Sequence, residues 1–227
     1  MDASGQLIRA DKVTRTFDAG QVRPLVGASV AVAPGEFLAV IGESGSGKTT
    51  LLNLLGLLDK PETGEITIGG VSTTGLGERE LTAIRARQLG FVFQDALVDP
   101  RRTAAQNVEL ALCFARVPRA ERPARVERAL VDSGVVDRSH VLAGDVSGGE
   151  RQRIAVARAT AHRPQVLLCD EPTGNLDEAN TRRVFDLLDR YRTDDRAVVM
   201  VTHDLTLARL ATRTVMVSRG SINQWKW

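Results

Sequence analysis

An α/β fold is what the sequence predicts: a central parallel sheet, an antiparallel β subdomain before it and a helical subdomain inserted into it. Three observations lead there. The runs Phe37-Leu38-Ala39-Val40-Ile41, Val166-Leu167-Leu168-Cys169 and Ala197-Val198-Val199-Met200-Val201 are continuously apolar, as strands of a parallel sheet covered on both faces must be. A helical pattern from about Glu178 to Arg192 joins the last two into a βαβ unit. Between about residues 97 and 163 strand signals lapse and helical segments follow one another.

Taken in order, Leu7–Ala10, Val13–Phe17 and Val30–Val32 read as short antiparallel strands, with turns at Asp18-Ala19-Gly20 and Pro34-Gly35. After Ile41, the stretch Gly42-Glu43-Ser44-Gly45-Ser46-Gly47-Lys48-Thr49-Thr50 leads into Leu51, Leu52, Leu54, Leu55 and Leu58 at helical spacing, a helix expected to run on until Asp59-Lys60-Pro61 stops it. Glu65–Ile68 is a strand closed by Gly69-Gly70, Glu78–Arg87 a helix, and Phe91-Val92-Phe93 a buried strand ending at Gln94. Thr103 and Gln106 have capping-box spacing ahead of Val108, Ala111 and Leu112. A second helix starts near Pro123 and ends at Ser133-Gly134, and a third follows Gly149 and stops before Pro164. Thr214–Val217 and Ile222 form a hairpin around Arg219-Gly220, with Trp225 and Trp227 expected in a loose tail. The result is one domain over 1–227, with its core in about 1–96 and 164–227 and its helical subdomain in about 97–163.

Composition narrows the partners. A 227-residue chain that is 43% apolar has a sizeable core to bury. Its net charge is only +2 with the signs interspersed, so no nucleic acid is expected. Cys113 and Cys169 are far apart and lack metal-ligand spacing, which fits a reducing compartment. Met1–Gly5 carries no leader signature, and no apolar run approaches the roughly 18 residues of a membrane span. A soluble, cytoplasmic chain is expected, reaching a membrane only through something else.

The stretch from Gly42 to Thr50 reads G-x-x-x-x-G-K-T, the P-loop or Walker A pattern, with a strand before it and a helix after it. Its glycines let successive N–H groups point inward at a phosphate chain, and the helix start adds its positive dipole end. Lys48 is placed for the β- and γ-phosphates and the Thr49 hydroxyl for Mg²⁺. Downstream, the strand ending Cys169-Asp170-Glu171 carries two acids. Asp170 is assigned to the metal and Glu171 to the attacking water, a pairing that a hydrolase needs and a simple nucleotide binder does not.

The run Val146-Ser147-Gly148-Gly149-Glu150-Arg151-Gln152-Arg153 resembles the signature usually written LSGGQ of the ATP-binding cassette (ABC) ATPases, and the resemblance covers nearly the whole chain. Read alone, Ser147-Gly148-Gly149 is a helix cap offering a hydroxyl and open N–H groups. The resemblance implies a RecA-like P-loop NTPase core, ATP and Mg²⁺ as cofactors, and a head-to-tail dimer. In that dimer Ser147, Gly148, Gly149 and Glu150 meet the nucleotide of a second ATPase subunit, identical or related.

It further implies that Gln94 is the Q-loop glutamine at Mg²⁺ or water, that Asp177 is the D-loop acid crossing the dimer, and that His203 is the switch histidine at the γ-phosphate. Phe17 is similar to the aromatic that stacks on adenine, with Phe where Tyr is frequent. Val146 and Glu150 depart from the usual Leu and Gln, but SGGERQR occurs among relatives. GFVFQ, SGGERQR and DEPTGNLD are most similar to the lipoprotein-releasing, macrolide-exporting and antimicrobial-peptide-exporting ATPases. Integral membrane permease subunits are then the expected partners, holding the chain on the inner face of the membrane.

Other branches of the family fit less well. Chromosome-maintenance types carry a long coiled coil where only 52 residues separate Gln94 from Ser147. Ribosome-acting types usually carry two cassettes, and excision-repair types carry zinc cysteines. A cell-division ATPase that signals without moving cargo remains compatible with these residues.

Overall fold

The computed structural model describes residues 5–227; the expectation for the N-terminus falls on residues 1–4, which lie outside them. Two sheets are present. The first is antiparallel, made of β1 (Ile8–Phe17), β2 (Val22–Val32), β4 (Thr63–Ile68) and β5 (Val71–Ser72) in the order β2-β1-β4-β5. The second contains β3 (Phe37–Ile41), β6 (Leu89–Phe93), β7 (Val166–Asp170), β8 (Ala197–Val201), β9 (Arg213–Ser218) and β10 (Ser221–Trp225), ordered β10-β9-β3-β8-β7-β6. All its neighbours are parallel except the β9–β10 hairpin.

The apolar runs behave as expected of doubly covered strands. Leu38, Val40, Leu168, Val199 and Val201 face α1 (Lys48–Leu55) and the antiparallel sheet. Phe37, Leu167, Cys169, Val198 and Met200 face α5 (Gly148–Thr160) and α6 (Glu178–Tyr191). Each of these strand residues is at most 1% exposed. Burying a side chain of this size contributes about 1.5–3 kcal/mol, so the sheet is the rigid frame on which its strand ends are held. A separate cluster joins α3 (Ala104–Phe114), α4 (Arg122–Asp132) and α5 through Val108, Leu112, Leu130 and Ile154. The capping box on α3 forms as its spacing predicts, with the Gln106 N–H donating to Thr103 Oγ1 at 3.2 Å and the Thr103 N–H to Gln106 Oε1 at 2.9 Å.

Several elements differ from the sequence reading. The helix after the P-loop ends at Leu55, not near Pro61. Leu57 adopts φ 55, the Leu58 N–H donates to Asn53 O at 2.9 Å and the Leu57 N–H to Leu54 O at 3.0 Å, a Schellman closure built without glycine. Leu58 is therefore outside the helix and exposed. The two strands expected before Asp18 are one strand, interrupted where Lys12 takes φ 49 and the register with β2 shifts. β2 begins at Val22, eight residues before the Val30 start read from sequence. Pro24 and Gly27 hide it, and it is an edge strand, where proline is tolerated. A five-residue helix, α7 (Leu205–Arg209), is too short to show periodicity; α2 (Glu78–Gln88) is as expected. The final residues are not loose: Trp225 lies in β10, and Arg209 stacks 4.8 Å over the Trp227 ring. Cys113 and Cys169 are free thiols. Among the described residues no helix is long and apolar enough to cross a membrane.

Candidate functional site

The loop from Gly42 to Thr50 joins the C-terminal end of β3 to α1. Gly47 caps α1 at φ 107, and a Cβ there would collide with the Pro24 carbonyl of β2; only glycine fits this approach. No side chain caps α1, so its first N–H groups are free to meet an anion. Ser46 Oγ is buried and has no hydrogen-bond partner. Glu43, Ser44, Gly45 and Thr49 are exposed on the rim, while Gly42, Ser46 and Thr50 are half-buried. Lys48 is only 7% exposed. Its ammonium donates to Gly42 O at 2.9 Å and Glu43 O at 2.8 Å, which leaves one of its three donors for a ligand.

Asp170 and Glu171 close β7 beside this loop. Burial pushes the Asp170 carboxyl above the ordinary carboxylate range, while a hydrogen bond with the Thr49 hydroxyl pulls it down; the Glu171 charge adds to the rise and Lys48 opposes it. A cation placed here would favour the ionised form. Thr49 and Asp170 are hard oxygen donors, and among the described residues no cluster of three or more His, Cys, Asp or Glu could hold a metal unaided. Oxygen donors such as Thr49 and Asp170 are of the kind that Mg²⁺ takes, with water and phosphate filling its other positions. Glu171 sits at φ 45, a conformation that costs a residue with a side chain about 1–3 kcal/mol. Its N–H donates to Val201 O at 3.0 Å, anchoring it to β8.

His203 follows β8. Its Nδ1 is 3.0 Å from Glu171 Oε2, a contact in which Nδ1 donates and the carboxylate accepts, and Nε2 is the ring nitrogen left for another partner. Asp204 fixes the turn beyond it, accepting from the Thr206 and Leu207 N–H groups at 2.7 and 3.2 Å.

Gln94, exposed at the end of β6, donates to Asn175 Oδ1 at 3.2 Å, and Asn175 donates to Asp95 Oδ1 at 3.2 Å. The loop after β6 is strapped to α5 by two further residues. Gln152, 2% exposed, donates to Phe93 O at 2.9 Å. Arg158 donates to Ala96 O at 3.1 Å and to Leu97 O, both residues having positive φ. Asn175, Gln152 and Arg158 were not singled out from sequence. Their partners lie about 60 to 80 positions away, and a polar side chain gives no linear sign of which distant carbonyl it will reach.

The start of α5 is arranged differently. Ser147 Oγ accepts from the Glu150 N–H at 3.3 Å and donates to Glu150 Oε2 at 2.8 Å; the Ser147 N–H donates to the same oxygen at 2.9 Å. Arg138 pairs with Glu150 Oε1 at 2.7 Å. The Ser147 N–H, the Arg138 guanidinium and the Ser147 hydroxyl together hold the Glu150 carboxyl at about 2. Gly148 is exposed, and Gly149 packs so tightly on Asn180 that a Cβ would collide with its amide. Asn180 accepts from Arg153 at 3.0 Å and donates to Asp177, which caps α6. So Ser147, Gly149, Glu150 and Asp177 form one cluster, and Lys48, Thr49, Asp170, Glu171 and His203 form another at the C-terminal edge of the sheet. Phe17 ends β1, 39% exposed, with the Arg15 guanidinium 4.8 Å over one ring face. The opposite face is what a flat ring could stack on.

Residues 25–174 match the model of the family described as ABC transporter. The chain is 44% identical to the lipoprotein-releasing system ATP-binding protein LolD 1 of Rhodospirillum rubrum, covering 95% of this chain and 96% of that protein. It is 41% identical to the macrolide export ATP-binding/permease protein MacB of Burkholderia lata, covering 95% of this chain but 32% of that protein. Among solved structures, the dimer of the bacterial ABC transporter cassette MJ0796 superposes with a TM-score of 0.87 at 36% identity, over 96% of this chain and 98% of that one. A post-hydrolysis dimer of the same cassette, bound to ADP and Pi, superposes equally well.

Proposed function

The chain belongs to the ABC transporter family as an ATP-binding, ATP-hydrolysing subunit, and from that premise we propose how its residues divide the work. Gly42 to Thr50 wraps the phosphates: the free N–H groups of α1 and the third donor of Lys48 take their charge. Thr49 and Asp170 would hold Mg²⁺, with Gln94 as a further residue toward it. The ion, when bound, neutralises charge on the transferring phosphoryl group.

Glu171 takes the proton of the attacking water. Its strained backbone and its bond to His203 aim the carboxylate, and they are the observation that carries this reading. His203, with Nδ1 committed to Glu171, presents Nε2 to the γ-phosphate side. Phe17 stacks the adenine on the ring face that Arg15 leaves open.

Ser147, Gly148 and Gly149 act on the nucleotide of a second copy or a related subunit, and Asp177 crosses the same boundary. Glu150 supports them from behind, because a carboxylate already bound to Ser147 and Arg138 is repelled by phosphate. ATP closes the dimer and hydrolysis reopens it. That movement drives extraction or export of a substrate through separate membrane subunits, which hold the chain on the inner face of the membrane. Support comes from relatives that serve lipoprotein release and macrolide export.

Light scattering tests the arrangement. Glu171→Gln with ATP and Mg²⁺ is expected to double in mass, and adding Ser147→Arg to abolish the doubling while ATP binding is kept. A dimer that survives Ser147→Arg removes the signature from the interface.

A further inference from the structure

At the opposite ends of the strands from Asp170 and Glu171, α4 and the C-terminal ends of α5 and α6 line a cleft of about 560 Å³. Arg163 precedes β7 and Arg196 precedes β8, whereas Asp170 and His203 lie at or beyond the other ends of those strands; five strand residues set the two sites roughly 15 Å apart. We propose that this cleft binds a dianionic phosphate group between Arg163 and Arg190.

Five arginines line it, Arg125, Arg128, Arg163, Arg190 and Arg196, against one acid, Asp132. Three of the five are already answered. Arg128 pairs with Asp132 at 3.0 Å, Arg125 with Glu121 at 2.7 Å and Arg196 with Asp195 at 3.5 Å. Arg163 and Arg190 have no carboxylate within ion-pair distance among the described residues. A dianion placed between two guanidinium groups that line one concavity would be held by both, and their planar forks match phosphate oxygens in pairs.

Two neutral polar groups of the lining are already engaged. The Tyr191 hydroxyl donates to Pro164 O at 2.6 Å and the Thr160 hydroxyl to Val156 O at 2.9 Å, so both are spent on the backbone. The volume exceeds that of a bare phosphate and fits a pyrophosphate or a phosphate ester, whether a free small molecule or a lipid headgroup.

Calorimetry with inorganic pyrophosphate separates this cleft from the P-loop. Wild type is expected to bind two equivalents, Lys48→Ala to lose one, and Arg163→Ala with Arg190→Ala to lose the other while keeping its thermal unfolding midpoint and ATP turnover. Both arginines are exposed, so their removal leaves the core intact. Binding at the cleft is expected to weaken with salt. If the double arginine variant keeps the second equivalent, the assignment is wrong. A single equivalent at the P-loop, together with flotation on phosphatidic acid vesicles that the double variant loses, assigns the cleft to a lipid headgroup. One equivalent and no difference in flotation overturns the proposal.

Discussion

The two clusters of the candidate site differ in how far they satisfy themselves. At the P-loop edge, α1 has no side-chain cap, Ser46 Oγ is buried without a partner, and Glu171 is held at φ 45. At the start of α5 the cap, the capping acid and its counter-ion are all paired within the chain, and Asn180 ties Gly149, Arg153 and Asp177 together. A region with unmet donors and stored strain gains free energy as soon as an anion arrives. A region already satisfied gains only from a partner that reaches its exposed edge. The difference fits a division in which the P-loop edge takes the phosphates first and the α5 cluster acts only when a second subunit is brought to it.

The largest effect tests the strained half. Glu171→Gln keeps the shape and loses the base, so phosphate release is expected to fall about 10²- to 10⁴-fold with ATP affinity retained. Near-wild-type turnover would remove Glu171 from that role. Next, Lys48→Ala deletes a charge-assisted contact of about 1.5–3 kcal/mol, and calorimetry is expected to show ATP binding weakened roughly 10- to 150-fold. Unchanged affinity would mean that the loop amides alone hold the phosphates.

A smaller effect is expected where the halves are joined. Gln152→Leu removes one of the two donors to the Phe93 carbonyl, which keeps the Ala96 N–H at 3.1 Å, at a cost of about 0.5–1.5 kcal/mol in urea unfolding. A variant as stable as wild type would show that water replaces that strap.

The smallest effect tests self-satisfaction at α5. Glu150 is held at about 2 against an ordinary 4.5. A carboxyl lowered in the folded state contributes fully above its unfolded value, and that stability is lost as pH falls through the folded one. Wild type therefore loses this increment between about pH 4.5 and 2. Glu150→Gln, which can still form the capping box but cannot pair with Arg138, is expected to be less stable at pH 7 and to show a flatter decline across that window. Identical pH profiles would mean that the lowering of Glu150 by the Ser147 N–H, Arg138 and the Ser147 hydroxyl contributes nothing to stability.

Much of this was legible in the linear chain because the signals are local. Gly42 to Thr50 lies between a strand and a helix, Thr103 and Gln106 cap their own turn, and the parallel strands announce themselves by continuous burial. Where local signals failed, the cause was equally physical. Leu58 follows the helical spacing but falls beyond a Schellman turn that Leu57 completes against the preference of its own residue type. β2 was shortened because Pro24 and Gly27 interrupt its pattern, a cost that an edge position relieves.

By itself, then, the sequence determined the phosphate loop, the order of the longer strands and helices, the two acids at the end of β7 and the family that these residues resemble. Each of these depends on residues a few positions apart, where backbone geometry and side-chain type suffice. Only the tertiary structure decided that Glu171 pairs with His203, that Gln152 and Arg158 bind the loop after β6 to α5, that Glu150 turns back on Ser147 and Arg138, and that Arg163 and Arg190 share a cleft. Most of those contacts join groups tens of residues apart, and what brings such groups together is burial of the sheet and helix faces between them.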